Sequence, residues 1–259
     1  MNSVFLGAWS GIPVILVTLM LGLIFFVVLY IIANRIDKRF TPHIIMGLTI
    51  GVLMAIMSMN LKVTSIMLNG HSFPLVLSSL FFPVLALSTD VLNEFYGLKY
   101  AKALLNGSIL TQAMMFALMF WFVAIPSETL EMHNTFADTF SLATRGFIAG
   151  AVSMYLTTLV NIHTFDFFRK LTKGKMLWSR IISSTTLALL LDILIYTSIL
   201  FAGTRSFSEL SQMMFISAIV RMTYSFLKVP FIYHLRWLIK KQIFLVDGYD
   251  PITSTLNSP

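Results

Sequence analysis

The chain has no cysteine and very little charge. With no Cys among 259 residues, disulfides, thiolate catalysis and Cys-ligated zinc or iron–sulfur centres are excluded, and the redox compartment stays open. Only 11% of residues are charged, against 57% hydrophobic. That is too little charge for a soluble surface and more apolar sequence than a soluble core of this length needs. The five histidines show no clustered ligand spacing, so no metal site is expected. There is no nucleophile elbow, phosphate loop, HExxH or dinucleotide fingerprint. Neither an enzyme nor a bound cofactor is expected, and there is no room for the nucleotide-binding domain of a phosphate-driven pump.

What is abundant is apolar sequence. Mean hydropathy is +0.85, and several stretches approach or exceed the ~20 residues a helix needs to cross a bilayer. The expected fold is an all-α polytopic membrane protein with seven transmembrane helices. These run from about Gly11 to Ala33, His43 to Met67, Ser72 to Phe95, Ala101 to Ile125, Thr144 to Phe168, Ser179 to Ala202 and Glu209 to Ile239. The first is read as a retained helix, because no Lys or Arg precedes it and it is longer than a signal-peptide core. Thr41-Pro42, Asn69-Gly70, Ile125-Pro126, Lys173-Gly174 and Gly203-Thr204 fall at the proposed turns.

The net charge of +7 is not a nucleic-acid signal, because the basic residues sit in short loops beside the membrane. Arg35, Lys38 and Arg39 follow helix one, and Lys99 and Lys102 follow helix three. Arg169, Lys170, Lys173, Lys175 and Arg180 lie between helices five and six, and Arg236, Lys240 and Lys241 follow helix seven. The opposite loop, Pro126 to Thr144, carries Glu128, Glu131 and Asp138 without Lys or Arg. The positive-inside rule then places the N-terminus outside and the C-terminus in the cytoplasm.

Against this apolar background, ionisable residues at membrane depth are costly and mark candidate sites. Asp192 lies near the middle of helix six and Arg221 near the middle of helix seven. Arg cannot readily lose its proton, so Asp192 is its expected counter-charge. Asp90 and Glu94, four residues apart, share one face of a regular helix. The bland alternative is an interfacial pair facing Lys99 or Lys102. Lys228 is read as snorkelling toward the inner surface. Asn60 and Lys62 lie late in helix two, and Asn161 and His163 late in helix five. Ser184 and Thr185 extend the polar stripe of Asp192 or bond their own backbone. The residues together suggest a small transporter with a polar pocket among helices three, five, six and seven.

Three blocks of residues resemble the queuosine precursor transporter family, also described as a vitamin uptake transporter family. The first is Asn60-Leu61-Lys62, then Ser72-Phe73-Pro74, then the run Thr89 to Gly97 with Asp90, Glu94 and Tyr96. The second is Trp178-Ser179-Arg180, Ser184-Thr185 and Asp192. The third is Arg221 with Pro230 and Tyr233. The likeness extends from about Met54 to Leu235. Asn161 stands where the family often has Asp, Arg221 where Lys is usual, and Leu189 where Gln is common.

The resemblance implies a six-helix core at 43–241, an additional N-terminal helix and cytoplasmic loop at 1–42, and a polar tail at 242–259. It implies uptake of 7-deazaguanine bases such as preQ0, preQ1 or queuine across the bacterial cytoplasmic membrane by a stand-alone secondary transporter. Substrate would bind at Asp90, Glu94, Asp192, Arg221, Asn161, Asn60, Lys62 and Ser184. The implied partners are a purine-like small molecule and the lipid bilayer, with no nucleic acid. Coupling to a proton or ion and homo-oligomerisation are left open. The rival readings are a substrate-capture subunit of a multi-component vitamin uptake system, an intramembrane lipid enzyme and a structural subunit.

Overall fold

A computed structural model describes residues 12–59, 63–68, 71–76, 82–173, 175–201, 203 and 206–241. Its helices are α1 (Ile12–Ile36), α2 (Thr41–Met59), α3 (Phe82–Val91), α4 (Leu98–Ala124), α5 (Leu130–Leu171), α6 (Leu177–Phe201) and α7 (Phe207–Lys240). A short π-helical turn, Leu92–Tyr96, extends α3. Within the described residues, α4, α6, α7 and the Thr144–Leu171 part of α5 are long and apolar enough to cross a membrane, and shorter apolar helices cover Met20–Ile36 and Thr41–Ala55. The molecule is thus an integral membrane protein built mainly of helices.

Two elements differ from the sequence expectation. The continuous helices expected on either side of Asn69-Gly70 are replaced by an antiparallel hairpin, β1 (Val63–Leu68) and β2 (His71–Val76), with Leu68 opposite His71. The all-α expectation is therefore corrected: α2 stops at Met59 and α3 starts at Phe82. The physical reason lies in the sequence. Asn-Gly is a preferred two-residue hairpin connection, because both residues tolerate positive φ. Pro74 lacks the backbone N–H that a helix interior needs, and a strand pair with open edges accepts it. The second difference is the expected outer loop, of which only a short stretch after Pro126 remains before α5 begins at Leu130. The Thr129 side chain accepts a hydrogen bond from the Met132 backbone N–H and caps this start. At 42 residues, α5 is about 63 Å long, roughly twice the hydrocarbon thickness.

The principal core joins α1, α2, α3, α4, α5, α6 and α7. Leu23, Phe26, Val27 and Tyr30 of α1 pack with Leu87, Val91, Leu92 and Phe95 of the α3 region and with Tyr224 and Ile232 of α7. The Tyr30 hydroxyl and Ser88 Oγ share a hydrogen bond. The α1–α2 turn is closed by Asn34 Nδ2 donating to Thr41 Oγ1 (3.1 Å) and Thr41 Oγ1 donating to the Asp37 carbonyl (3.1 Å). At α7, Ser206 and Glu209 form a reciprocal capping box that fixes where the helix begins. Those boundaries decide which turns of α7 face α6 and α3.

Candidate functional site

Three buried ion pairs stitch α3, α6 and α7 together. Arg221 of α7 donates to Asp192 of α6, and Ser153 of α5 donates to the same carboxylate. Lys228, two turns further along α7, donates to Asp90 of α3 and to Thr185 Oγ1 of α6. Arg180 near the start of α6 donates through one guanidinium nitrogen to Glu94 Oε1 at 3.1 Å, while its charge lies 5.4 Å from the centre of the Phe165 ring. All six ionisable side chains are buried. Each pair removes the cost of leaving an isolated charge in a low-dielectric interior, although a buried pair is not by itself a large stabilising term.

The expected Asp192–Arg221 partnership is present. Asp90 and Glu94 do not face Lys99 or Lys102; they turn inward to Lys228 and Arg180. Lys228 does not snorkel: it is 0% exposed, because Asp90 and Thr185 supply its hydrogen bonds inside the bundle. Arg180, counted among the inner loop residues, is buried as well. Their location near helix ends in the sequence had suggested water. Tertiary packing of the α3 acids against them decides otherwise.

Beside these pairs lies a cavity of about 40 Å³, lined by α3, α4, α5 and α6. Asp192, Asn161, Thr185, Thr89, Ser108 and Leu189 are among its walls. Asn161 Nδ2 donates to Asp90 Oδ1 (3.2 Å), which connects the cavity to the Asp90–Lys228 pair. Asn161 Oδ1 is buried without a hydrogen-bond partner among the described residues. The expected pocket among helices three, five, six and seven is thus corrected in one respect: among the described residues α4 supplies a wall, and the lining residues come from α3, α4, α5 and α6. Arg221 meets the cavity wall through Asp192.

Among the described residues, Glu94, Ser184 and His163 are not part of this wall. Glu94 is held away by Arg180, and Ser184 Oγ donates to the Ile181 carbonyl at 3.5 Å, the backbone role open to a helical serine. His163 is exposed. Asn60 and Lys62 lie outside the described residues. Gln112 and Ser108, both buried on α4, were not singled out from sequence. Their signal is faint: uncharged polar residues one turn apart in a helix otherwise apolar toward lipid.

The pairing has a chemical consequence. Three carboxylates meet three cations, so the cluster is polar yet carries no net charge when all six groups are ionised. A measure of 40 Å³ accommodates a few waters, since one needs roughly 10–15 Å³.

Comparison with known proteins bears on the same segment. No curated protein and no solved structure matches the chain. A family model described as "Putative vitamin uptake transporter" matches residues 76–235. That stretch includes all six members of the buried ion pairs and every residue lining the cavity. The chain belongs to the vitamin uptake transporter family.

Proposed function

We propose that this membrane transporter imports 7-deazaguanine precursors of queuosine across the bacterial cytoplasmic membrane, acting alone by alternating access. The observation that carries the reading is the neutral, hydrogen-bonding character of the cavity. Its polar walls include Asp192, Asn161, Thr185 and Thr89, with the paired Asp90 directly behind Asn161. A carboxylate accepts parallel hydrogen bonds from the ring N–H and exocyclic amine of a guanine-like edge. A carboxylate-bearing vitamin would bring one uncompensated negative charge into this balanced cluster, at a desolvation cost of several kcal/mol per ion in a real protein. A base without a carboxylate brings none.

Asp90 and Asp192 recognise the base in this scheme. Asn161 adds its unspent acceptor, Lys228 and Arg221 hold the carboxylates, and Glu94 with Arg180 closes the inner end. The chain crosses the membrane with the N-terminus outside and the C-terminus cytoplasmic. The cavity's small volume corresponds to a closed stage of the transport cycle.

The test is uptake of labelled 7-deazaguanine bases into cells unable to make them. Wild type supports saturable uptake, and Asp90→Asn and Asp192→Asn abolish it while the proteins still reach the membrane. Normal saturable uptake in both variants would overturn the assignment. Transport by the purified chain in liposomes separates a stand-alone carrier from a capture subunit, which would bind the base without moving it.

A further inference from the structure

A second polar position lies one turn beyond the cavity wall on α4. Gln112 is buried, four residues after the cavity-lining Ser108. Its Nε2 donates to the sulfur of Met154 at 3.3 Å, and a thioether is a weak acceptor. Its Oε1 has no hydrogen-bond partner among the described residues. A primary amide in a dry interior normally has its carbonyl satisfied, because an unmatched buried acceptor carries its full desolvation cost. Here the amide is anchored on one side by sulfur and keeps its stronger group unused.

The location of Gln112 relative to Asp90 gives this a direction. Met154 and Asn161 both line the cavity from α5. They are seven residues apart, which is two helical turns or about 10.5 Å along one face. Asn161 marks the end next to Asp90. Met154 marks the other end, where it meets Gln112. A bicyclic base held at its guanine edge by the Asp90 end would extend its side group toward Met154.

We infer that Gln112 is a specificity-determining residue for the side group of the transported base, and that it selects a hydrogen-bond donor such as a primary amine over an acceptor such as a nitrile. The inference rests on the 7-deazaguanine reading above. A bound amine donates to Oε1 and satisfies it. A nitrile turns a lone pair toward the carbonyl oxygen, so both acceptors stay unmatched.

The experiment measures binding of two 7-deazaguanines, one with an aminomethyl and one with a cyano side group, to the purified full chain. Wild type prefers the amine. Gln112→Met keeps volume and removes the carbonyl, and it lowers the amine-to-nitrile affinity ratio by about tenfold, the scale of one hydrogen bond to a charged group. Met154→Leu is a milder volume-conserving change. It frees the amide from its sulfur anchor and lowers the ratio by a smaller factor, and it serves if Gln112→Met does not fold. A ratio unchanged within about twofold in the folded variants overturns the role of Gln112 while leaving the base-binding reading intact. If wild type binds neither base, both readings fall together.

Discussion

Helices α4 and α6 are nearly matched in length, 27 and 25 residues, and both are apolar enough to cross a bilayer. Only 11% of the membrane window of α4 is buried inside the protein, against 44% for α6. Beyond Lys102, α4 carries no charged residue, and Leu110, Met114, Phe120 and Trp121 are exposed along it. On α6, Arg180 and Asp192 are both buried and paired. Hydropathy recognises both helices as spans. Which one belongs to the interior is told by where the charges sit, because lipid cannot satisfy them and only another helix can.

Substitutions that touch the buried charges of α6 and those along α4 should therefore differ most in stability. Arg221→Met leaves Asp192 buried without its counter-charge and should cost about 3–5 kcal/mol, seen as a large fall in Tm in detergent. Adding Asp192→Asn should recover most of that Tm, since the stranded charge is gone, while uptake stays lost. If the double variant transports normally, the pair is a structural staple and the contrast with α4 loses its functional meaning.

The inner pair should respond less. Phe165→Leu keeps an apolar side chain but removes the ring facing Arg180, and should cost roughly 1–3 kcal/mol from lost cation–π attraction and packing. Denaturation of Phe165→Leu alone and in an Arg180→Lys background would measure the coupling. Next comes Gly97, whose φ of +89° lies in the region that L side chains avoid. Gly97→Ala should lower stability by about 1–2 kcal/mol, because φ +89° with ψ 170° is a region almost confined to glycine, although a Cβ there meets no atom within 4 Å. The smallest effect belongs to α4: Met114→Leu should shift stability by less than about 0.5 kcal/mol, as expected for an exposed position without a special role. A larger fall there would reveal a partner on the α4 face.

The lack of cysteine makes one more comparison direct, between the two ends of α5. A single cysteine at Glu131 should react with a membrane-impermeant thiol reagent in intact cells, and one at Lys173 only after the membrane is opened. The reverse pattern would invert the proposed orientation.

Much of this organisation was legible in the sequence. Long apolar runs located most helices, and Asp192 and Arg221 stood out because each lies mid-span, where a charge has no route to water. Lys228 and Arg180 are ambiguous in sequence for the complementary reason. Near a helix end, a long cationic side chain that reaches water and one that turns inward to a carboxylate have the same local sequence. Asn69-Gly70 was noticed as a turn, but its flanking residues are apolar and suit either helices or strands, so the hairpin was not separable by hydropathy. Gln112 carries no charge and disturbs the apolar pattern only slightly. Its interest comes from an unmatched carbonyl that exists only once α4 and α5 are packed.

The π-helical turn after α3 changes the geometry implied by a spacing of four. In a regular α-helix, Asp90 and Glu94 would stack along one face and address the same neighbour. The turn at Leu92–Tyr96 closes its hydrogen bonds one residue later than an α-helix does, so Asp90 stands on α-helical winding and Glu94 on the wider turn. One short element can then engage two different helices: Asp90 takes the cation of α7 and Glu94 the cation of α6. The widened turn ends α3 with two anchors, one on α7 and one on α6, and Gly97, with its φ of +89°, turns the chain from that anchored end into α4.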